Sequence, residues 1–170
     1  MSEPLRLSPF DIYLDPLLAL QDARLREMLA YWQGKRVGKA LPTRADIKPG
    51  EIIGHLPSLF LIGVDQPALR AADFKVRLMG TALNELAAAD FTGKRLHEGL
   101  PGAAVSTAVK IFSIICQLRR PIRVFGHAAF QTGKRPVAVE ALLMPLSIGG
   151  AHVDVVMGEL LRRASPDEES

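Results

Sequence analysis

Apolar residues Leu18, Leu25, Met28, Leu29 and Trp32 fall near one face of a helical projection, with Gln21, Asp22, Arg24, Arg26 and Glu27 mostly elsewhere. Asp15 and Pro16 offer a cap and a first-turn proline, and Gly34 a stop. The pattern predicts an amphipathic helix over 16–33, with Lys35, Arg36 and Lys39 complementing the negative end of its dipole. The Pro- and Gly-rich stretch "ALPTRADIKPGEIIGHLP" then reads as a connecting arm with at most a short helical turn.

The period then changes. "SLFLIGVD" is an apolar run of strand length, and "FKVRLMG" alternates, with Phe74, Val76 and Leu78 on one face and Lys75, Arg77 and Met79 on the other. "TALNELAAAD" has helical propensity, with Thr81 as its cap. "AAVSTAVKIFSIICQLRR" is a second helix, its stripe formed by Val105, Ala108, Phe112, Ile115 and Cys116 and widened by Ile111 and Ile114. Three strand-like runs follow, "PIRVFGHAAF", "RPVAVEALLMPLS" and "AHVDVVMGELL", separated by the hairpin signals "QTGK" and "IGG".

This order predicts an α+β fold: a five-stranded antiparallel sheet with helices on one face, preceded by the N-terminal helix. In "RVFGHAAF", Arg123, Phe125 and His127 share one parity and Val124, Ala128 and Phe130 the other. Apolar groups on both faces require cover on both faces, and the N-terminal helix, from its own chain or a partner's, is the expected second cover.

Composition narrows the function classes. The 170 residues suffice for one domain with a real core, and 48% apolar with 23% charged residues is an ordinary globular mixture. A net charge of +3 is too mild to argue for nucleic acid. The N-terminus lacks a secretory pattern, and the apolar runs fall short of the roughly 20 residues that span a bilayer, so a cytoplasmic protein with no membrane span is expected. The single cysteine, Cys116, excludes an intrachain disulfide.

Gly-Lys-Arg occurs three times, at 34–36, 93–95 and 133–135. None has the upstream Gly and the following Ser or Thr of a phosphate loop, and the flanks do not repeat. They read as three chain boundaries: a helix end, a loop after a helix, and a hairpin turn at Gly133. Gly93 should redirect its loop, with Phe91 and Leu96 anchoring it. Arg36, Lys94, Arg95, Lys134 and Arg135 would bind nucleic acid only if they clustered on one face, and such binding is not expected.

His55, His97, His127 and His152 are scattered without metal-ligand spacing, so no metal site is expected. Cys116 lies on the apolar stripe with no histidine near it in sequence, which suits a packed thiol rather than a nucleophile. Arg77 interrupts an apolar strand and is expected in solvent or paired with Glu140.

The order of elements resembles a PAS sensor domain. The local sequence is similar to the PAS_5 group of mostly single-domain bacterial proteins. The matching segments are Tyr31-Trp32, "LPTRADIKP", "LPSLFLIGVD", "FKVRLMGTAL", "DFTGKRLHE" and "LLMPLSIGGAHVDVVMG", spread over roughly residues 28 to 160. The resemblance implies an N-terminal extension and helix over 1–35, a PAS-like core over 36–162 and an acidic tail over 163–170, expected to be disordered. It further implies a sensory or regulatory module rather than an enzyme. Such a module binds a small molecule or partner proteins between sheet and helices, and often dimerises through the preceding helix. With only "RRASPDEES" after Leu161, the signal is expected to leave through a protein partner that carries the output.

On this reading the ligand pocket lies under the long helix, lined by Phe74, Val76, Leu78, Phe112, Ile115 and Cys116, unless those side chains fill it. The homodimer or partner contact is expected at Leu18, Leu25, Met28, Leu29 and Trp32. Haem is not expected, although His97 lies where haem-binding relatives place an axial ligand. Flavin is not expected either, since the Asn-Cys-Arg motif of flavin photoreceptors is missing. The alternative is a small pocket enzyme, an isomerase or hydratase using a buried carboxylate, for which Asp154 and Glu140 are the strand-borne candidates.

Overall fold

The computed structural model describes residues 3–7, 10–38 and 40–164. Its centre is an antiparallel sheet. Strands β1 (Leu5–Arg6), β2 (Ile12–Asp15), β3 (Leu59–Val64), β4 (Phe74–Met79), β5 (Ile122–Ala128), β6 (Val137–Leu146) and β7 (Val155–Arg162) lie in the order β1-β2-β5-β6-β7-β3-β4. The five expected strands form its body, β3 to β7. The helices are α1 (Ala23–Lys35), α2 (Thr81–Ala87), α3 (Leu96–Gly99) and α4 (Gly102–Leu118). Three 3₁₀ turns carry the arm between α1 and β3. Lys39 and the tail residues 165–170 lie outside the described residues.

The N-terminal segment departs most from expectation. Residues 12–15 form a strand on the outer edge of β5, and the helix starts only at Ala23. Asp15 does not cap it. The Asp15 carboxylate accepts the N–H groups of Leu17 and Ala19, forming a turn in which Leu18 takes a positive φ of 57°. The cap is Asp22, which accepts the Arg24 N–H. At its other end α1 continues through Gly34 to Lys35. Gly126 makes β2 possible, with φ at +131° and no room for a Cβ beside the Asp11 carbonyl. Gly126→Ala is expected to lower stability by about 1–3 kcal/mol and to speed amide exchange in residues 12–15. Unchanged exchange there would contradict this pairing.

α1 lies across the sheet beside β6, within its own chain. Leu25, Met28 and Trp32 are fully or almost fully buried there, and the Trp32 Nε1–H donates to the Pro145 carbonyl at 3.0 Å. The even-numbered Glu140, Leu142, Met144 and Leu146 of β6 face this side. Val139, Ala141 and Leu143 face the other, under α2, α3 and α4. The sheet is therefore covered on both faces by its own chain.

Two buried ionic groups fix the α1 side. Glu140 is fully buried, and its two oxygens accept the N–H groups of Gln21 and Asp22 at 2.9 Å each, holding the start of α1. Arg123, not Arg77, is its ionic partner, with Nε at 2.6 Å from Oε2. Arg123 also reaches Asp15 at 3.4 Å and lies over the Phe125 ring, which stacks on Tyr13. Arg77 is exposed, with its side chain over Gly63.

The second group is Glu159 on β7, fully buried, with both oxygens at 2.9–3.0 Å from His55 Nδ1. Glu27 of α1 lies 3.5 Å from His55 Nε2. Burial raises the Glu159 carboxyl above the ordinary range, and His55 opposes the rise. A raised folded value means that the stabilising contribution is full below about 4.3, the ordinary glutamate value, and is lost as pH climbs through the raised value. Urea titrations across that interval are expected to show wild type losing stability relative to Glu159→Gln. The trend should extend to higher pH in a His55→Gln background, where the main opposition to the rise is gone and only the more distant charge of Arg24 still lowers it. A pH-independent difference in both backgrounds would refute it.

Candidate functional site

The opposite face of the sheet holds a cavity of about 250 Å³. Its floor is Val139, Ala141 and Leu143 of β6, Val124 of β5, Leu160 of β7, and Phe60 and Ile62 of β3. Val76 and Met79 of β4 close one side, and Leu83, Ala87, Leu96 and Gly99 of α2 and α3 another. The roof is α4, through Ala104, Thr107, Ala108, Ile111 and Phe112.

The void follows from side-chain size. α4 presents Ala103, Ala104 and Ala108 to the cavity, facing Ala141 on the sheet and Ala128 and Ala129 at the end of β5. A leucine or phenylalanine at several of these positions would fill the space, as protein interiors normally are. Phe60 lies over Gly158, where any side chain would strike its ring. Its ring meets Phe112 edge-on at 6.3 Å, and Phe112 meets Phe74 at 5.7 Å, so the cavity ends against a solid aromatic cluster.

The six residues expected to line a pocket are divided by this geometry. Val76 and Phe112 line the cavity. Phe74 and Ile115 are fully buried in the adjoining core. Leu78 is displaced by a bulge: Ile62 pairs with Val76 and Leu61 with Leu78, leaving Arg77 as the extra residue of β4. The bulge reverses the alternation after Val76, so Met79 takes the cavity position and Leu78 does not. Cys116 lies on α4 outside the cavity lining, and burial pushes its thiol up to about 11, far from the thiolate a nucleophile needs.

Polar side chains are scarce in the lining. They are Arg95, Thr107 and His127. Arg95 pairs with Asp65 at 2.7 Å and His127 with Asp11 at 2.6 Å, all four at least partly exposed. Arg95 is set by the loop after α2, where Gly93, at φ +88°, donates to the Val76 carbonyl while buried Phe91 and Leu96 anchor the flanks. The other two Gly-Lys-Arg triplets lie elsewhere. Lys35 ends α1 in a pair with Glu51, and Gly133 turns between β5 and β6 at φ +77°.

The carboxylates considered for acid–base work do not line the cavity. Glu140 lies on the α1 side, and Asp154 accepts the Ile148 N–H in the β6–β7 turn. His97 is exposed on α3. Among the described residues no three His, Cys, Asp or Glu side chains are grouped to hold a metal ion, and no helix is long and apolar enough to cross a membrane.

A PAS domain family model matches residues 20–161. Among solved structures, the chain is similar to the PAS domain of BvgS from Bordetella pertussis, with a TM-score of 0.52 and 11% identity over 71% of this chain and 86% of that one. It is also similar to a LOV protein of Rhodobacter sphaeroides, with a TM-score of 0.47 and 15% identity over 88% and 73% of the two chains. A comparison with curated proteins gave no match.

Proposed function

The chain belongs to the PAS domain family, and on that premise we propose that it is a sensory and regulatory module rather than an enzyme, acting in the cytoplasm. It takes a small ligand between α4 and the sheet and passes on the state of that site by associating with other proteins. The observation that carries this reading is the cavity itself: lined by three helices and six strands, partly open, almost wholly apolar, with a few polar groups. Concave apolar sites with sparse polar groups are the usual form of small-molecule sites.

The association is proposed to include a homodimer, with a separate protein partner supplying the output. Leu25, Met28 and Trp32 are already buried within the chain, and Leu18 and Leu29 are partly buried against the same core. A dimer using the outer surface of α1 leaves that packing intact. Mass spectrometry of the purified protein, sprayed first under native and then under denaturing conditions, tests both halves. The expected native mass is that of two chains plus a small molecule that disappears on denaturation. A bare monomer would overturn the reading.

A further inference from the structure

The cavity restricts what it can hold, and we propose that its ligand is a slim, uncharged aliphatic molecule with one small hydrogen-bonding head, of the size of a medium-chain alcohol or aldehyde. This inference rests on the cavity being the ligand site. An engineered apolar cavity of about 150 Å³ holds benzene, so 250 Å³ corresponds by proportion to about ten non-hydrogen atoms. Haem and flavin are far larger. The polar ring edge of a flavin also needs several buried partners, and the apolar walls of this cavity do not provide them.

The polar groups specify the head. Thr107, half-buried on α4, makes no side-chain hydrogen bond among the described residues, so the roof offers one hydroxyl not already committed within the chain. A single hydroxyl or carbonyl on a ligand can satisfy it. An anionic head is disfavoured because the guanidinium and the imidazole of the lining already face carboxylates, Asp65 beside Arg95 and Asp11 beside His127. A ligand carboxylate would have to share or contest these groups with Asp65 and Asp11 at the partly exposed rim, or enter the apolar interior unpaired. The tail needs no specific partner, because alanines, leucines and phenylalanines form the walls.

Thermal unfolding of the full chain tests this with three probes near neutral pH: nonan-1-ol, nonanoate and riboflavin. At about a hundredfold excess over its dissociation constant, nonan-1-ol is expected to raise the midpoint by about 5–10 °C. Nonanoate should bind roughly tenfold more weakly or worse. Thr107→Val, which keeps the shape and removes the hydroxyl, should weaken nonan-1-ol roughly tenfold. Ala108→Phe, which fills the space, should abolish its effect. Nonanoate equal to or tighter than the alcohol would overturn the uncharged head, and an unaffected Thr107→Val its assigned partner. Riboflavin binding lost in Ala108→Phe, with nonan-1-ol inert, would overturn the ligand class and leave the cavity as the site. If no probe acts and the dye anilinonaphthalene sulfonate also fails to bind, the inference and the cavity reading both fall.

Discussion

Glu140→Ala is expected to lower the unfolding free energy by about 3–5 kcal/mol, the usual result of removing one partner from a buried ion pair. Among the described residues, the substitution leaves the guanidinium of Arg123 inside the protein with the 3.4 Å contact to Asp15 and the face of Phe125. It also strips the Gln21 and Asp22 N–H groups of their acceptor at the start of α1. Buried donors without partners add about 1–3 kcal/mol each when water cannot reach them. Glu140→Gln keeps the shape and one acceptor oxygen, so its loss should be smaller. Equilibrium urea unfolding checks both values. A loss below about 1 kcal/mol for Glu140→Ala would mean that the network is solvated and does not hold the helix.

Trp32→Ala should cost a similar amount, about 3–5 kcal/mol, by deleting the largest fully buried side chain of α1 and the donor to the Pro145 carbonyl. Trp32→Phe retains most of the packing and loses the hydrogen bond, so about 1–3 kcal/mol is expected. The dependence on protein concentration carries as much information as the size. Trp32 packs on its own chain's sheet, so the loss should be the same at dilute and concentrated protein. If α1 instead covered a partner's sheet, the destabilisation would vary with concentration by mass action.

Much of this architecture was legible because it rests on period and punctuation. The alternation of β5, β6 and β7, the turns at Gly133 and Gly150 and the wide stripe of α4 can all be read from residue order. The apolar groups at both parities of β5 correctly demanded cover on both faces. Other features depend on contacts that no short pattern encodes. Phe10, Ile12 and Leu14 do alternate, but Asp15-Pro16 imitates a helix start, and apart from the two-residue β1 the segment gains its strand partner from β5, more than a hundred residues later. The bulge at Arg77 shows in pairing with β3, not in "FKVRLMG", and it exchanges Leu78 for Met79 at the cavity. The partner of Glu140 required the register of β5 against β6.

The cavity was the hardest feature to read, because a hole is a missing volume. Large apolar residues stand out in a sequence as pocket candidates, yet such side chains are the ones that fill space. The residues that keep the space open are small, Ala104 and Ala108 on α4 and Ala141 on β6, and in sequence they look like ordinary helix and strand positions.

The most direct test of the account is whether that space exists. Apolar cavities that exclude water bind xenon, which requires no recognition beyond room and apolar walls. A crystal structure of the protein under xenon pressure is expected to show xenon between α4 and the sheet, bordered by Val76, Met79, Ala108 and Phe112, and to lose it in Ala108→Phe. Wild-type crystals with α4 packed directly onto Ala141 and Leu143, and no xenon between them, would contradict it.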